Sequence, residues 1–398
     1  MTERLYYDQT YLRAFDAAAL QIETRGDGVW LLLDRSAFYP TSGGQPFDTG
    51  VIRWLGGEAR VCDVEADARG VWHRLEGGCP EAGVPVHGEI DWARRFDHMQ
   101  QHGGEHMLAG AIWRLYRGHT IGLHLGAEVS SIDVERPDGS TRFTDEEIAR
   151  LEETVNGWIQ QDAPCRCWFP SPEELKALPL RKPPAVAEHV RVVAFGDFEM
   201  CACGGTHPST SGQVGLVKIV ETLPARGKAR VVFVCGMRAV RYAQRMCLAA
   251  RDAAALLSCG AEELAQAAAR VKEQLAQEHA AKNAFRRESA LKDVPAMLQS
   301  AQTLPCGRVV LAELRGANRD TLRDVAAKLI EQPDVCALLC APDEPGSPVL
   351  FARGTQVAAD MGRLLRASGA KGGGRPDFAQ GAGEPACLIR ARDALSQR

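Results

Sequence analysis

Two short strings, His102-Gly-Gly-Glu-His106 and Cys203-Gly-Gly-Thr-His207, constrain the fold of this chain more than any other feature. Each sets two metal-ligating side chains four residues apart. Pooled, they offer three imidazoles and one thiolate, a donor set suited to tetrahedral zinc. Neither pair would hold an ion well alone. Roughly 100 residues separate the strings, so a fold that uses both must bring distant segments together. The expected site is one zinc ion per chain, held by His102, His106, Cys203 and His207.

Local geometry supports the pairing. On a helix, His102 and His106 lie one turn apart and face the same way. Gly103 and Gly104 stand between them, although glycine costs about 1 kcal/mol per position in a helix interior. Something must need those positions bare, such as a close backbone or a ligand. The Gly204-Gly205 pair suits a tight turn between Cys203 and His207. Glu105 opens a rival reading, because His-x-x-Glu-His is formally the inverzincin protease pattern with glutamate as general base. A protease of that class wants a distant carboxylate as third ligand. This chain offers a Cys-x-x-x-His pair instead.

The bulk numbers bound the class. A length of 398 residues allows two to four domains. Hydrophobic content of 45% and charged content of 25% are ordinary for a globular protein. No apolar run is long enough for a membrane span, and the polar N-terminus lacks a signal-peptide core, so the expected location is the cytoplasm. The 13 cysteines are odd in number and spread along the chain, which argues for thiols rather than a disulfide framework. Net charge is −4, yet basic clusters occur, among them Arg94-Arg95, Arg181-Lys182 and Arg238/Arg241/Arg245. A nucleic-acid surface needs only one such face.

Hydrophobic patterning predicts an α+β chain of four parts. Residues 1–92 carry short apolar runs separated by Gly, Pro and Asp, as in a small β-barrel. Within them, the glycine-rich stretch 38–50 reads as a loop. Residues 93–236 read as an α/β domain: helices over 98–116 and 144–161, strands over 190–195 and 230–235, and an extended Pro-rich connection over 168–184. Thr144 and Glu147 form a capping-box signal. Residues 237–304 read as a helical linker. Ala254, Leu257, Ala261, Leu264, Ala268, Val271 and Leu275 make a thin coiled-coil seam, suited to a hairpin or a weak dimer contact. Residues 305–398 read as a second α/β unit with a β-α-β core and a glycine loop over 371–381.

Four pieces then occur together in one order: Ser42-Gly-Gly-Gln45 with Asp48-Thr-Gly50, the segment from Arg95 to His106, Ala202-Cys-Gly-Gly-Thr-His207, and Gly372-Gly-Gly-Arg-Pro-Asp-Phe-Ala-Gln-Gly381. The set resembles the editing and C-terminal domains of alanyl-tRNA synthetases. It is most similar to the free-standing alanyl-tRNA editing proteins of the long AlaX type. The resemblance implies that 93–236 is the zinc-binding editing domain and that 305–398 is a C-terminal domain of the DHH-associated kind. Only about 92 residues precede Arg94-Arg95, too few for an aminoacylation domain, so the expectation is hydrolysis in trans and no tRNA charging. The implied partner is tRNA(Ala) bearing the wrong amino acid, chiefly serine and secondarily glycine, with a homodimer through the linker and C-terminal domain as a further expectation.

The physical logic is that of a second sieve. A pocket for alanine cannot strongly reject an added hydroxyl. A sieve that hydrogen-bonds the serine hydroxyl would leave its own polar group unpaired with alanine. By the resemblance, the candidates for substrate contact are Thr120, Ser130 and Ser131, with His124 as a candidate catalytic group and Gly43, Gly44 and Gln45 as a second wall. Many relatives carry threonine where this chain has Glu105. That glutamate is a candidate to orient or deprotonate the attacking water or to bind the substrate ammonium; a carboxylate that holds a histidine tautomer is the competing role. Two other readings stand beside deacylation. One is a non-catalytic tRNA-binding protein with a structural zinc. The other is a metalloprotease or phosphoesterase, against which the chain lacks an Asp-His-His motif.

Overall fold

The computed structural model describes every residue except Asp27, Ala185, Ala187 and Arg398. It divides into two compact units, Met1–Ala249 and Ala250–Arg398.

In the first unit, six antiparallel strands close into a barrel: Ala14–Arg25, Gly28–Leu33, Val71–Glu76, Gly57–Ala66, Gly50–Trp54 and Pro85–Ile90, in that spatial order. The inward residues, among them Leu31, Leu33, Ile52, Val61 and Val64, fill the interior with apolar side chains. The long excursion between Leu33 and Gly50 leaves the barrel. Arg95 ties its far end down. Its fully buried guanidinium donates from Nε to both carboxylate oxygens of Asp48, at 3.0 and 2.9 Å, and also caps the carbonyls of Ala37 and Thr10. A buried ion pair must satisfy its remaining donors to be tolerated, and this one does.

The helix Trp92–Tyr116 follows the barrel. It starts six residues before the 98–116 span read from the sequence, because the Asp91 side chain accepts from Arg94 N and supplies the N-cap. It is buried nearly all round and runs beside two sheets. One sheet has the order Val217–Ala225, Lys228–Cys235, Ser130–Glu135, His119–Leu125; the other has Cys165–Trp168, Val192–Phe195, Glu199–Ala202. All these pairs are antiparallel, so this region is α+β rather than α/β. The helix Asp145–Gln160 carries the expected Thr144–Glu147 capping box. The Pro-rich connection is not wholly extended. It holds the helix Pro172–Ala177, because Ser171 and Glu174 form a second capping box with proline at the first helical position.

The linker is also less continuous than its composition predicts. Helix Met237–Leu256 ends at a turn with Ser258 in the left-handed region, and helix Leu264–Lys292 begins afresh after Gly260. The predicted seam therefore changes helix between Leu257 and Leu264, and Val271 and Leu275 on it are exposed.

The second unit holds a six-stranded sheet: Gln302–Leu304, Gly307–Glu313, Val335–Cys340, Pro348–Arg353, Phe378–Ala382, Lys371–Gly374. Gly307–Glu313 and Val335–Cys340 pair in parallel and are joined through helix Arg319–Leu329, the β-α-β core read from the sequence. The glycine stretch 371–381 is not a loop. It forms an edge hairpin in which a Cβ on Gly372 would meet Gln380 O at 2.4 Å. Among the described residues, no helix is long and apolar enough to cross a membrane.

Candidate metal centre

The fold brings the two strings together. The side-chain donor atoms of His102, His106, Cys203 and His207 all lie within 4.8 Å of one another. His102 Nε2 and His207 Nε2 each stand 3.3 Å from Cys203 Sγ. The His106 and His207 rings lie 4.6 Å apart, centroid to centroid.

The bare glycines have a steric cause. A Cβ on Gly104 would stand 2.1 Å from Cys235 Sγ, and one on Gly103 would stand 2.9 Å from Val214 Cγ2. The helix can approach the sheet and the 208–217 segment only with hydrogen there. Gly205 is about as strict, since its Cβ would meet His102 Cε1 at 2.2 Å. The turn and the helix thus touch at the histidine ring.

Neighbouring groups orient the donors. Gln45 Oε1 accepts from Thr206 N at 3.1 Å, so that atom is the amide oxygen. His102 Nδ1, 2.8 Å from the same oxygen, must then be a donor. Its Nε2 lone pair is left facing Cys203. Arg191 fixes the turn, donating to Cys203 O at 3.1 Å and Gly205 O at 2.8 Å. His207 Nδ1 is buried without a partner among the described residues.

Burial sets the charge states. Desolvation pushes the His102 imidazole down to about 3 and the other two histidines well below their usual range, so all three are neutral and able to donate lone pairs. The same burial pushes the Cys203 thiol up to about 12. A cation would have to displace that proton, and thiolate formation would couple binding to pH. Three neutral imidazoles and one displaceable thiol proton fit zinc or a similar borderline ion.

Glu105 is buried, with its carboxylate 4.0 Å from His106 Nε2. Among the described residues it accepts no hydrogen bond. Desolvation raises its carboxyl to about 6, opposed by the nearby Arg181 and Lys182 and assisted by Glu199. Arg181 is a buried cation that the sequence did not single out for this site. It donates to Glu199 Oε1 at 2.7 Å and to Thr120 Oγ1 at 2.6 Å. Glu199 and Cys201 form a second cluster with His106, their donor atoms within 4.8 Å.

The other residues named from the sequence have mixed placements. Gly43 and Gly44 both have positive φ, at 57° and 85°. Gly44 O accepts from Leu125 N, and a Cβ on Gly44 would stand 2.7 Å from Leu123 O, so the loop lies directly on the strand that carries Thr120 and His124. Ser130 is buried, and its hydroxyl has no partner among the described residues. Ser131 sits opposite His124 in the ladder, and His124 is exposed. No hydrogen bond links His124, Ser130 or Ser131 to the four-donor cluster among the described residues.

The chain is similar to known proteins. Residues 2–94 match the class II (A) tRNA synthetases, and residues 190–231 match the second additional domain of threonyl and alanyl tRNA synthetases. Cys203 and His207 fall inside the second match. The alanine–tRNA ligases of Pyrobaculum neutrophilum and Pyrococcus abyssi are 34% and 30% identical, each over 96% of this chain. The chain spans 42% of the length of either ligase. The alanyl-tRNA editing protein AlaX-L of Pyrococcus horikoshii is 31% identical over 96% of this chain and 94% of its own length. The chain belongs to the alanyl-tRNA editing protein family. Within that family frame, the two strings lie on the parts shared with the ligases, and Gln45 links the segment matched at 2–94 to the helix that carries His102.

Proposed function

We propose that this protein is a trans-editing hydrolase. It deacylates tRNA(Ala) charged with the wrong amino acid, chiefly serine and secondarily glycine. The observation that carries the reading is the convergence of His102, His106, Cys203 and His207, two remote pairs, one of them inside the matched additional domain. In this reading the four residues hold one zinc ion, which when bound supplies a positive charge for the 3′ end of the tRNA and its ester carbonyl.

The chain's own groups do the rest. Gln45 holds His102 in one tautomer, and Arg191 holds the Cys203–His207 turn. Glu105 orients a water molecule. That water's oxygen attacks the ester carbon, its proton passes to the Glu105 carboxylate, and the bond to the ribose oxygen breaks as that oxygen takes the proton back from Glu105. Thr120 and Ser130, with the Gly43–Gly44–Gln45 wall, line the amino-acid pocket, whereas Ser131 lies on the other face of its strand beside His124 and is left out of it. The Ser130 hydroxyl favours this role, because a buried hydroxyl without a partner is what a serine side chain would satisfy and alanine would not. The exposed His124 is assigned to the 3′ end of the tRNA. The C-terminal sheet is assigned to the DHH-associated type, and the exposed face of helix Leu264–Lys292 to a homodimer contact.

One specific observation favours a second reading. Four protein donors close a tetrahedral shell, as in structural zinc sites. A non-catalytic tRNA-binding protein with a structural zinc would look the same at this cluster. Deacylation of Ser-, Gly- and Ala-tRNA(Ala), measured side by side with zinc content, separates the two. The editing reading requires release of serine with Ala-tRNA(Ala) spared.

A further inference from the structure

A surface cleft of about 940 Å³ lies between the start of helix Trp92–Tyr116 and the start of helix Met237–Leu256. Its charge departs from that of the whole chain. Arg94, Arg238, Arg241 and Arg245 line it, against Asp97 and Glu128. Asp97 is already taken up by Arg238, whose Nε donates to Asp97 Oδ1 at 2.9 Å while Nη1 donates to Gly126 O at 2.8 Å. Three arginines then face one exposed glutamate, in a protein of net charge −4.

Arg241 and Arg245 are exposed, one helical turn apart, and pair with no carboxylate among the described residues. Like charges at that spacing repel by about 0.2–0.5 kcal/mol on an isolated helix. Arg238 anchors the same helix, so the backbone positions that present the two free guanidiniums are held. An aromatic wall stands beside them: Trp92 and Phe96 stack at 5.7 Å and 30°. A second, independent feature points to a ligand. His98 lines the cleft, is 3% exposed, and its Nδ1 has no partner among the described residues. His98 precedes His102 by one turn, about 6 Å along the helix axis.

We propose that this cleft docks the sugar–phosphate backbone of the RNA substrate. The inference rests on the reading of the chain as a tRNA deacylase. Arg241 and Arg245 take phosphates, Phe96 offers a stacking face beside Trp92, whose own ring already carries the Arg13 guanidinium at 4.5 Å, and His98 bonds a sugar or phosphate oxygen. Two guanidiniums one helical turn apart beside an aromatic ring suit a nucleic-acid strand better than an acidic peptide, which would have no use for the stacking face.

The test uses the full chain and unacylated tRNA(Ala), titrated from about 50 to about 200 mM salt. In the Arg241→Ala, Arg245→Ala double variant, affinity should fall and the slope of log affinity against log salt should lessen by about 2, one per lost phosphate contact. Zinc content and kcat on charged tRNA should hold while KM rises. An unchanged affinity and slope overturns the cleft. So does displacement of tRNA by polyglutamate at matched charge, which would mark an acidic-protein site. Binding that is lost in the variant, with no deacylation by the unaltered protein, would sustain the cleft and overturn the editing reading.

Discussion

His102 donates its Nδ1 hydrogen to the side chain of Gln45, a residue 57 positions earlier on the loop that leaves the barrel. The bond joins two parts of the first unit at the metal centre and selects the tautomer that turns Nε2 toward Cys203. Outer partners of this kind typically tune metal affinity 10–100-fold. Gln45→Ala should therefore bind zinc about 10–100-fold more weakly in a chelator competition, with its circular dichroism unchanged. Equal affinity in the variant would show that the tautomer is set elsewhere.

Gly104→Ala separates two opposed effects. Helix propensity would favour alanine by about 1 kcal/mol. The new methyl would stand 2.1 Å from Cys235 Sγ, and overpacking of that kind costs about 1–3 kcal/mol. The steric effect should win, with a net loss of stability in urea unfolding. A stabilised variant would mean that the helix does not approach the sheet so closely.

Glu105→Gln keeps the shape of the side chain and removes its basicity. Deacylation should fall about 10²–10⁴-fold, the usual worth of a general base, while zinc content is unchanged. Unaltered turnover would assign Glu105 to a supporting role beside His106.

Inside the barrel, His73 gives a pH dependence that is independent of the metal. Its Nδ1 donates to Leu31 O at 3.0 Å, and its Nε2 accepts from Ser36 Oγ at 2.7 Å. Burial lowers its folded-state value to about 4, from the usual 6.5. The folded state thus prefers the neutral ring. The stabilisation is complete above about pH 6.5 and is lost as pH falls through 4, amounting to about 3 kcal/mol in all. Urea midpoints should drop between pH 7 and pH 4.5, and His73→Gln should flatten that drop. A parallel pH profile in the variant would place the sensitivity in other groups.

Much of the site was legible because metal ligands come in few residue types at few spacings. His102, His106, Cys203 and His207 could be paired before any fold was known. The barrel strands and the β-α-β core were legible from periodicity, and Thr144 from its capping box. What stayed hidden depends on distant contacts. Arg181 and Arg191 look like surface cations in sequence, and only burial against Glu199, Thr120 and the 203–205 carbonyls gives them roles. Gln45 was picked out as a wall residue, but its bond to His102 could not be read from a glycine loop. The stretch 371–381 was misread because its glycines serve close strand pairing rather than a turn. The linker seam was misread because heptad counting ignores the break before Leu264.

The central claim is that the four-donor cluster and ester hydrolysis are one device. Its most direct test is deacylation of Ser-tRNA(Ala) by the unaltered protein, by His102→Ala and by Cys203→Ala, with zinc measured on the same samples. Zinc and activity should be lost together in both variants. Full activity in metal-free protein would contradict the account.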